Sequence, residues 1–369
     1  MKFRIIVPIL ILLSAGCTNI PLGKVRNLHY SEKPADADLI LEECGGVSRK
    51  DRLLCYMEGG VILYDQAAYK DSTEVLLKAS RIIQKQDIVN IKDQSSAVLV
   101  NDRIMAYKGE YSERLWVHTY LMMNFIMQNN FESALVEAKQ ALELYDRYPE
   151  SLENDYFTRA LIALCFENMN LPDDARIEYD KISAAAGAES FIPEPIAQGK
   201  GELVLFIGQG CIPTKESIET VLPPSIRISI PHYPDSSPPL PVNVRSEGMT
   251  DITKRITTDL GDVVRTSLND RAAQYLTRQA LRAGIKESIA DKAGEKSEFA
   301  EFLVRALLFI SEEADTRSWE TLPKSLTLIR ITLDPGIHDL VITTEYSQMV
   351  NLKRIYIPEG KRIYRSLRF

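Results

Sequence analysis

The residues of this sequence that could do chemistry are few and widely spaced. Its four histidines, His29, His118, His232 and His338, lie too far apart for the close spacing that metal sites use. The chain has no G-x-S-x-G elbow for a nucleophilic serine, and no carboxylate pair stands out as a glycosidase dyad. The sequence therefore predicts no metal, no cofactor and no enzymatic activity.

Cysteine offers two further kinds of chemistry, acylation and disulfide formation. Of the five cysteines, Cys17 stands near the start, and none of the others forms a C-x-x-C pair typical of zinc sites. In an oxidising compartment Cys44 and Cys55 are the favoured disulfide partners because they are close in sequence. The alternative is that all four later cysteines are buried thiols, which suits Cys165 best because its neighbours are apolar.

The first residues have the pattern of a secretory signal peptide. Lys2 and Arg4 precede an apolar run that is too short to span a bilayer, and residues 14–17 read Ser-Ala-Gly-Cys. That string resembles a lipobox, which implies cleavage after residue 16 and lipidation of Cys17. Thr18, where aspartate would signal retention in the inner membrane, favours the outer membrane. The alternatives are an ordinary secreted protein and an uncut N-terminal anchor.

Composition limits the class of protein and the kind of partner. The 369 residues carry a formal net charge of −7, and an acidic balance argues against nucleic acid as the main partner. No second apolar stretch is long enough to cross a membrane. The length suits two or three domains on the periplasmic side, preceded by a linker or N-terminal segment at residues 17–49.

Residues 50–190 are predicted to form helical hairpins. Phe131, Ala134, Ala138 and Ala141 place one aromatic and three small residues on one helical face, which lets two helices pack closely. The segment resembles the tetratricopeptide repeat, with weaker copies beginning at Tyr69 and Pro172. The copies lie farther apart than the standard repeat of about 34 residues. A generic stack of helical hairpins is the alternative.

The repeat resemblance implies a partner-binding groove on the first helix of the central copy. Its lining residues would be Trp116, Thr119, Met123, Ile126 and Met127. Exposed methionines and an aromatic ring form an adaptable surface for a protein or peptide. The alternative is that these residues belong to the core.

Residues 199–369 are predicted to form an α+β domain. Strands are expected at 199–248 and in an antiparallel meander at 325–369, together making a small sandwich, with a helical insertion at 250–316. The insertion carries a basic stripe whose members are Arg271, Arg278, Arg282 and Lys286. Such a stripe could meet peptidoglycan or another anionic envelope polymer. The favoured alternative is a solvated face paired with nearby glutamates.

Three strings carry a resemblance that runs over most of the chain: Tyr107 to Tyr111, Gly210 to Lys215, and Ala314 to Pro323. They resemble a family of bacterial lipoproteins with a tetratricopeptide-like N-terminal half. In the third string, Asp315 and Arg317 could form a charge-assisted pair and Trp319 a hydrophobic plug. The alternative is a ligand pocket with the charged pair at its mouth.

These patterns together favour a lipid-anchored protein of the outer membrane that faces the periplasm. By fold analogy we expect a scaffold or adaptor for an envelope protein or peptide, acting in envelope assembly or cell-wall synthesis. A carbohydrate- or peptidoglycan-binding protein is the alternative, and an envelope hydrolase is a weaker one.

Overall fold

The computed structural model describes residues 20–30, 35–90, 105–186, 195–222, 226–246, 254–271, 314–344 and 348–369, with isolated positions 277, 287, 288 and 292. The first half is helical. Its helices are α1 (Ile20–Tyr30), α2 (Ala37–Gly46), α3 (Arg52–Asp65), α4 (Tyr69–Asn90), α5 (Tyr111–Met127), α6 (Phe131–Arg147), α7 (Pro149–Leu152), α8 (Tyr156–Asn168) and α9 (Pro172–Ala186).

Three helical hairpins, α3–α4, α5–α6 and α8–α9, share one turn geometry. Each turn holds a residue in the left-handed region, with φ of 58° at Ala67, 56° at Asn129 and 58° at Asn170. The next residue donates its N–H to a carbonyl five residues earlier, as in a Schellman motif. These bonds are Ala68 to Leu63 at 2.9 Å, Asn130 to Phe125 at 2.8 Å and Leu171 to Phe166 at 2.9 Å.

The second helix of each hairpin begins where the sequence predicted, at Tyr69, Phe131 and Pro172. After the first residue of each copy, the small and apolar positions face the partner helix and are 3% exposed or less. They are Ser72, Leu76, Ala79, Ala134, Ala138, Ala141, Ala175, Tyr179 and Ile182. We call these three hairpins the helical array.

The second half is rich in strands. They are β1 (Gly201–Gln209), β2 (Glu216–Leu222), β3 (Ile226–His232), β4 (Val242–Ser246), β5 (Lys254–Asp259), β6 (Ser325–Leu333), β7 (Gly336–Thr344), β8 (Met349–Ile357) and β9 (Arg362–Arg368), with helix α10 (Leu260–Asp270) after β5. The predicted class, α+β with a helical first half and a β-rich end, is confirmed.

The strands form two facing sheets and a separate ribbon. A four-stranded sheet has the order β5-β6-β1-β9, and a three-stranded sheet has the order β4-β7-β8. Apolar residues such as Leu203, Leu205, Ile331 and Ile342 fill the space between the two sheets. Strands β2 and β3 pair only with each other within the described residues.

The four-stranded sheet is the middle of three layers. Residues of β1 alternate between its two faces. Val204 and Phe206 point away from the three-stranded sheet and pack in a core with the helical array. All nine residues of β1 are therefore buried. Among the described residues, none of the helices combines the length and the apolar character that a bilayer crossing requires.

Two predictions for the second half are wrong in detail. Residues 254–259, placed in the helical insertion, form strand β5, whose run Ile256-Thr257-Thr258 is β-branched and pairs with β6. The tail is not one meander, because β6 and β9 flank β1 while β7 and β8 belong to the other sheet. The connections that contain Pro335 and Pro358 carry the chain from one sheet to the other, and proline suits these positions because it has no N–H with which to continue a ladder.

Candidate functional site

The three strings that carry the family resemblance meet in one place, where the helical array joins the β-rich half. Tyr107 to Tyr111 leads into α5, Gly210 to Lys215 follows β1, and Ala314 to Pro323 precedes β6. Their charged side chains form a largely buried ionic network. We call it the junction network, and it is the candidate site.

Glu110 is the first centre of the junction network. It caps α5 in a capping box with Glu113, and it is 2% exposed. One carboxylate oxygen accepts from the Lys215 ammonium at 2.8 Å and the other from the Arg271 guanidinium at 2.5 Å. Burial alone would raise the pKa of Glu110, but Lys215 and Arg271 hold that pKa below its ordinary value.

Glu113 is the second centre, and it binds groups from two of the strings. It accepts the Tyr107 hydroxyl at 2.5 Å, the Glu110 backbone N–H at 2.7 Å and the Trp319 backbone N–H at 2.8 Å. Burial raises the pKa of the Glu113 carboxyl, and the attraction of Lys215 only partly offsets this. The pKa of Tyr107 is also raised, by burial first and then by the Glu113 carboxylate.

The predicted pair of Asp315 and Arg317 is formed, and it reaches further than the sequence indicated. Arg317 donates to both oxygens of Asp315, at 2.7 and 2.6 Å, and to Asp51 at 2.6 Å. Its guanidinium also donates to the Met105 carbonyl at 3.0 Å. Arg317 therefore binds segments that the sequence places far apart.

Trp319 is 1% exposed and packs beside Tyr120, with ring centroids 5.9 Å apart. Its indole N–H donates to Thr321 at 3.2 Å, which supplies the single partner that a buried tryptophan needs. Glu58 of α3 accepts the backbone N–H groups of Glu320 and Thr321, at 3.1 and 3.0 Å. The string around Trp319 is thus fixed to the array by both its side chains and its backbone.

The chemistry that this geometry supports is structural. Both oxygens of Glu110 and both oxygens of Glu113 already accept hydrogen bonds from the chain itself. Buried carboxylates that are paired in this way stabilise the contact between the helical array and the β-rich half. The network favours the structural role predicted for Asp315, Arg317 and Trp319 over a pocket mouth.

The predicted open groove on the central hairpin is wrong. Trp116, Thr119, Met123 and Ile126 are all 0% exposed, and Met127 is half-buried. Helices α3 and α8 of the helical array and helix α10 and strand β9 of the β-rich half pack against α5, so both halves of the chain contribute to its burial.

The buried groove residues have partners within the chain. The Trp116 indole donates to Asp155 at 2.7 Å, and Thr119 shares a hydrogen bond of 2.9 Å with Thr158. The Tyr64 hydroxyl donates to the Met123 sulfur at 3.4 Å. The alternative assignment of these residues to the core is therefore the correct one.

Only some of the remaining predicted site residues lie within the described ranges. Arg271 of the basic stripe pairs with the buried Glu110, 161 positions away, and so belongs to the junction network, whereas Arg278, Arg282 and Lys286 lie outside the described residues. Cys17 also lies outside them. A disulfide joins Cys44 and Cys55, whose Cα atoms are 5.6 Å apart, while Cys165 is a buried thiol and Cys211 an exposed one.

Sequence reasoning missed a second ionic network, on the other side of the same interface. Arg330 of β6 is 1% exposed and donates to Glu202 of β1 at 2.6 Å and to Glu167 of α8 at 2.7 Å. Arg362 of β9 donates to the same two carboxylates. One sequence feature could have indicated this network. Arg330 is the one arginine inside the apolar string LTLIRITL, and a buried charge of this kind needs a charged partner.

Within the described ranges, histidine, cysteine and acidic side chains nowhere gather into a group of three that could hold a metal ion.

Comparison with family models and with curated proteins finds no match to this chain. Among solved structures, a mutant of MamA is 14% identical, covering 45% of this chain and 92% of that chain with a TM-score of 0.26. A crystal structure of MamA protein is 13% identical, covering 46% and 91%, with a TM-score of 0.21. At these TM-scores the likeness carries no argument.

Proposed function

We propose that this protein is an adaptor of the bacterial cell envelope, lipid-anchored at the outer membrane through Cys17, which binds a protein or peptide partner on its helical array. The N-terminal signal and lipobox pattern support the anchor. The three equivalent hairpins support the binding role, because stacked helical hairpins present extended surfaces to partners.

The observation that carries the binding role is the pattern of exposed apolar residues on the array. Val136 is 58% exposed and Ile177 is 51% exposed. Each is the sixth residue of the second helix in its hairpin, so they occupy equivalent positions in successive hairpins. Because the β-rich half covers the other face, we place the partner on the outer surface of these second helices.

The anchor is tested by metabolic labelling with radioactive palmitate. The wild-type chain should incorporate the label and fractionate with the outer membrane, and Cys17→Ser should lose both properties. Equal labelling of the two proteins, or no labelling of either, would exclude the anchor.

The partner surface is tested with a photo-crosslinking amino acid placed at position 136 or 177 in living cells. Both positions should give an adduct of the same mass. The matched control is position 74, since Glu74 is the equivalent residue of the first hairpin and its side chain is 58% exposed. The crosslink from position 177 should disappear in a Val136→Glu background. An equal adduct at position 74, or no adduct at 136 and 177, argues against this surface.

A further inference from the structure

We infer that the folded body is held directly against the membrane, with the loop between α2 and α3 facing the phosphate groups of anionic phospholipids. This inference rests on the proposed lipidation of Cys17 and adds an orientation to it.

Helix α1 is part of the folded body and not a free tether. Leu22 and Val25 are 4% and 0% exposed. Arg26 donates to Glu58 at 2.9 Å and to the Ser318 carbonyl at 2.9 Å, and it lies 2.8 Å from Glu320. The helix is therefore bound both to the array and to the string around Trp319.

Very little chain separates this helix from the anchor. Only Thr18 and Asn19 separate Cys17 from Ile20, where α1 begins, so three Cα–Cα steps join the two residues. A fully extended segment of that length spans about 10 Å. A lipidated Cys17 lies in the head-group region, so the start of α1 cannot lie much farther than this from the lipid.

The contacts of α1 show which end of the body this is. Arg26 contacts Glu58, and His29, one turn later, lies 3.9 Å from Asp65, at the end of α3. Both helices advance in the same direction, so the start of α1 lies at the same end as the start of α3. The loop that precedes α3, residues 47–51, lies at this end and is consequently the part of the folded body that we place against the membrane.

This loop is braced and carries basic side chains. The Cys44–Cys55 disulfide joins the helices on its two sides. Arg52 donates to the Val47 carbonyl at 3.3 Å, and the Asp51 N–H donates to the Ser48 carbonyl at 2.9 Å. Arg49 is exposed and Lys50 is half-buried. Basic side chains beside a lipid anchor add electrostatic attraction to anionic head groups.

The test measures distance from the membrane on two labelled variants of the acylated protein, in vesicles that contain phosphatidylglycerol and an energy-accepting lipid. A Cys211→Ser background removes the exposed thiol. The fluorophore is placed on Ser48→Cys or, as the control, on Lys70→Cys, which is exposed and lies beyond the far end of α3, about 20 Å along the helix. Energy transfer should be several-fold greater at position 48, and equal transfer at the two positions overturns the orientation.

Two variants test the cause. A spacer of 20 glycine and serine residues between Asn19 and Ile20 should reduce transfer at position 48 severalfold, and unchanged transfer contradicts the role of the short connection. Arg49→Glu should lower transfer at position 48, and no change contradicts a contact between the loop and anionic lipid. Palmitate incorporation is measured in every sample. Its absence refutes the anchor itself, whereas incorporation with equal transfer refutes the orientation alone.

Discussion

Buried charged side chains hold the helical array to the β-rich half, and Arg330, at 1% exposure, is the most enclosed arginine among them. It contacts both Glu202 and Glu167, and each of these carboxylates also contacts Arg362. Removal of Arg330 would leave two buried carboxylates to share one cation. Breaking a buried ion pair in this way is far more damaging than never having formed it.

We therefore expect Arg330→Met to lower the free energy of unfolding by about 3–5 kcal/mol, measured by urea denaturation at pH 7. The matched control is Arg147→Met, because Arg147 is 49% exposed where it pairs with Asp87 and should lose less than about 1 kcal/mol. Adding Glu202→Gln to Arg330→Met should restore part of the loss. Similar losses for Arg330→Met and Arg147→Met would show that the network contributes little.

Asp65 gives the protein a pH dependence of a definite sign. Burial raises the pKa of this carboxyl to about 6, and Arg368, at 3.5 Å, only partly opposes the shift. Because the folded pKa lies above the unfolded value of 3.8, ionisation favours the unfolded chain. The stability contributed by the protonated form is complete below pH 3.8 and is lost as pH rises through about 6.

We expect Asp65→Asn to remove the loss of folding stability that accompanies ionisation of Asp65. Relative to the wild type, the variant should gain stability between pH 4 and pH 7, by up to about 3 kcal/mol if the shift has its full effect. Urea midpoints measured across this range check the expectation, with Asp146→Asn as an exposed control. Parallel pH profiles for Asp65→Asn and the wild type would contradict it.

At the scale of elements, the three hairpin turns place different residues, Ala67, Asn129 and Asn170, in the same left-handed conformation. Asn129 and Asn170 suit the left-handed conformation, whereas Ala67 adopts it with a Cβ that is unfavourable there. Ala67→Gly should therefore raise the free energy of unfolding by about 0.5–1 kcal/mol, and Asn129→Ala should lower it by a similar amount. Thermal denaturation of both variants measures the effect, and a fall in the melting temperature of Ala67→Gly would contradict it.

The hairpins were predictable because their signals are local. The spacing from Phe131 to Ala141 predicts one helix face, and the turn before Phe131 is marked by Asn129-Asn130. The copies at Tyr69 and Pro172 follow from the same pattern. Strand β5 was not predicted because the segment 254–259 is short and runs directly into helix α10. Its pairing with β6 in the folded chain shows that it is a strand.

The candidate site was predictable only in part. The Asp315–Arg317 pair lies within one string, so sequence could indicate it. Its extension to Asp51 depends on a contact between residues 266 positions apart, which no local pattern reveals. The groove prediction was wrong for the same reason, since Trp116 and Met123 have the composition of a binding surface but are buried against residues distant in sequence, Asp155 and Tyr64.

At the scale of the whole molecule, the last strand completes the cover over the array. Tyr364 of β9 lies 6.1 Å from Phe131 and 6.2 Å from Phe206, ring centroid to centroid. A chain that ends at Lys361 would lack this strand and would also lack Arg362. The apolar face that β9 covers would then be open to water.

We expect that truncated chain to bind a hydrophobic dye strongly at neutral pH and to be cut by protease far faster than the full chain. The control is Tyr364→Phe, which keeps the ring and loses only the 2.7 Å bond to Asn168. It should behave almost as the wild type does. If the truncated and full chains resist protease equally, β9 is dispensable for the cover.

The contact between Arg26 and the Ser318 carbonyl joins residues 292 positions apart. In the export proposed above, the chain would enter its compartment from the N-terminus, so helix α1 would reach this partner only after almost the entire polypeptide has followed. A contact of such sequence separation forms late and leaves apolar surface exposed in the meantime. Under that proposal, delivery of the protein should fall early when the holding chaperones of the compartment are scarce.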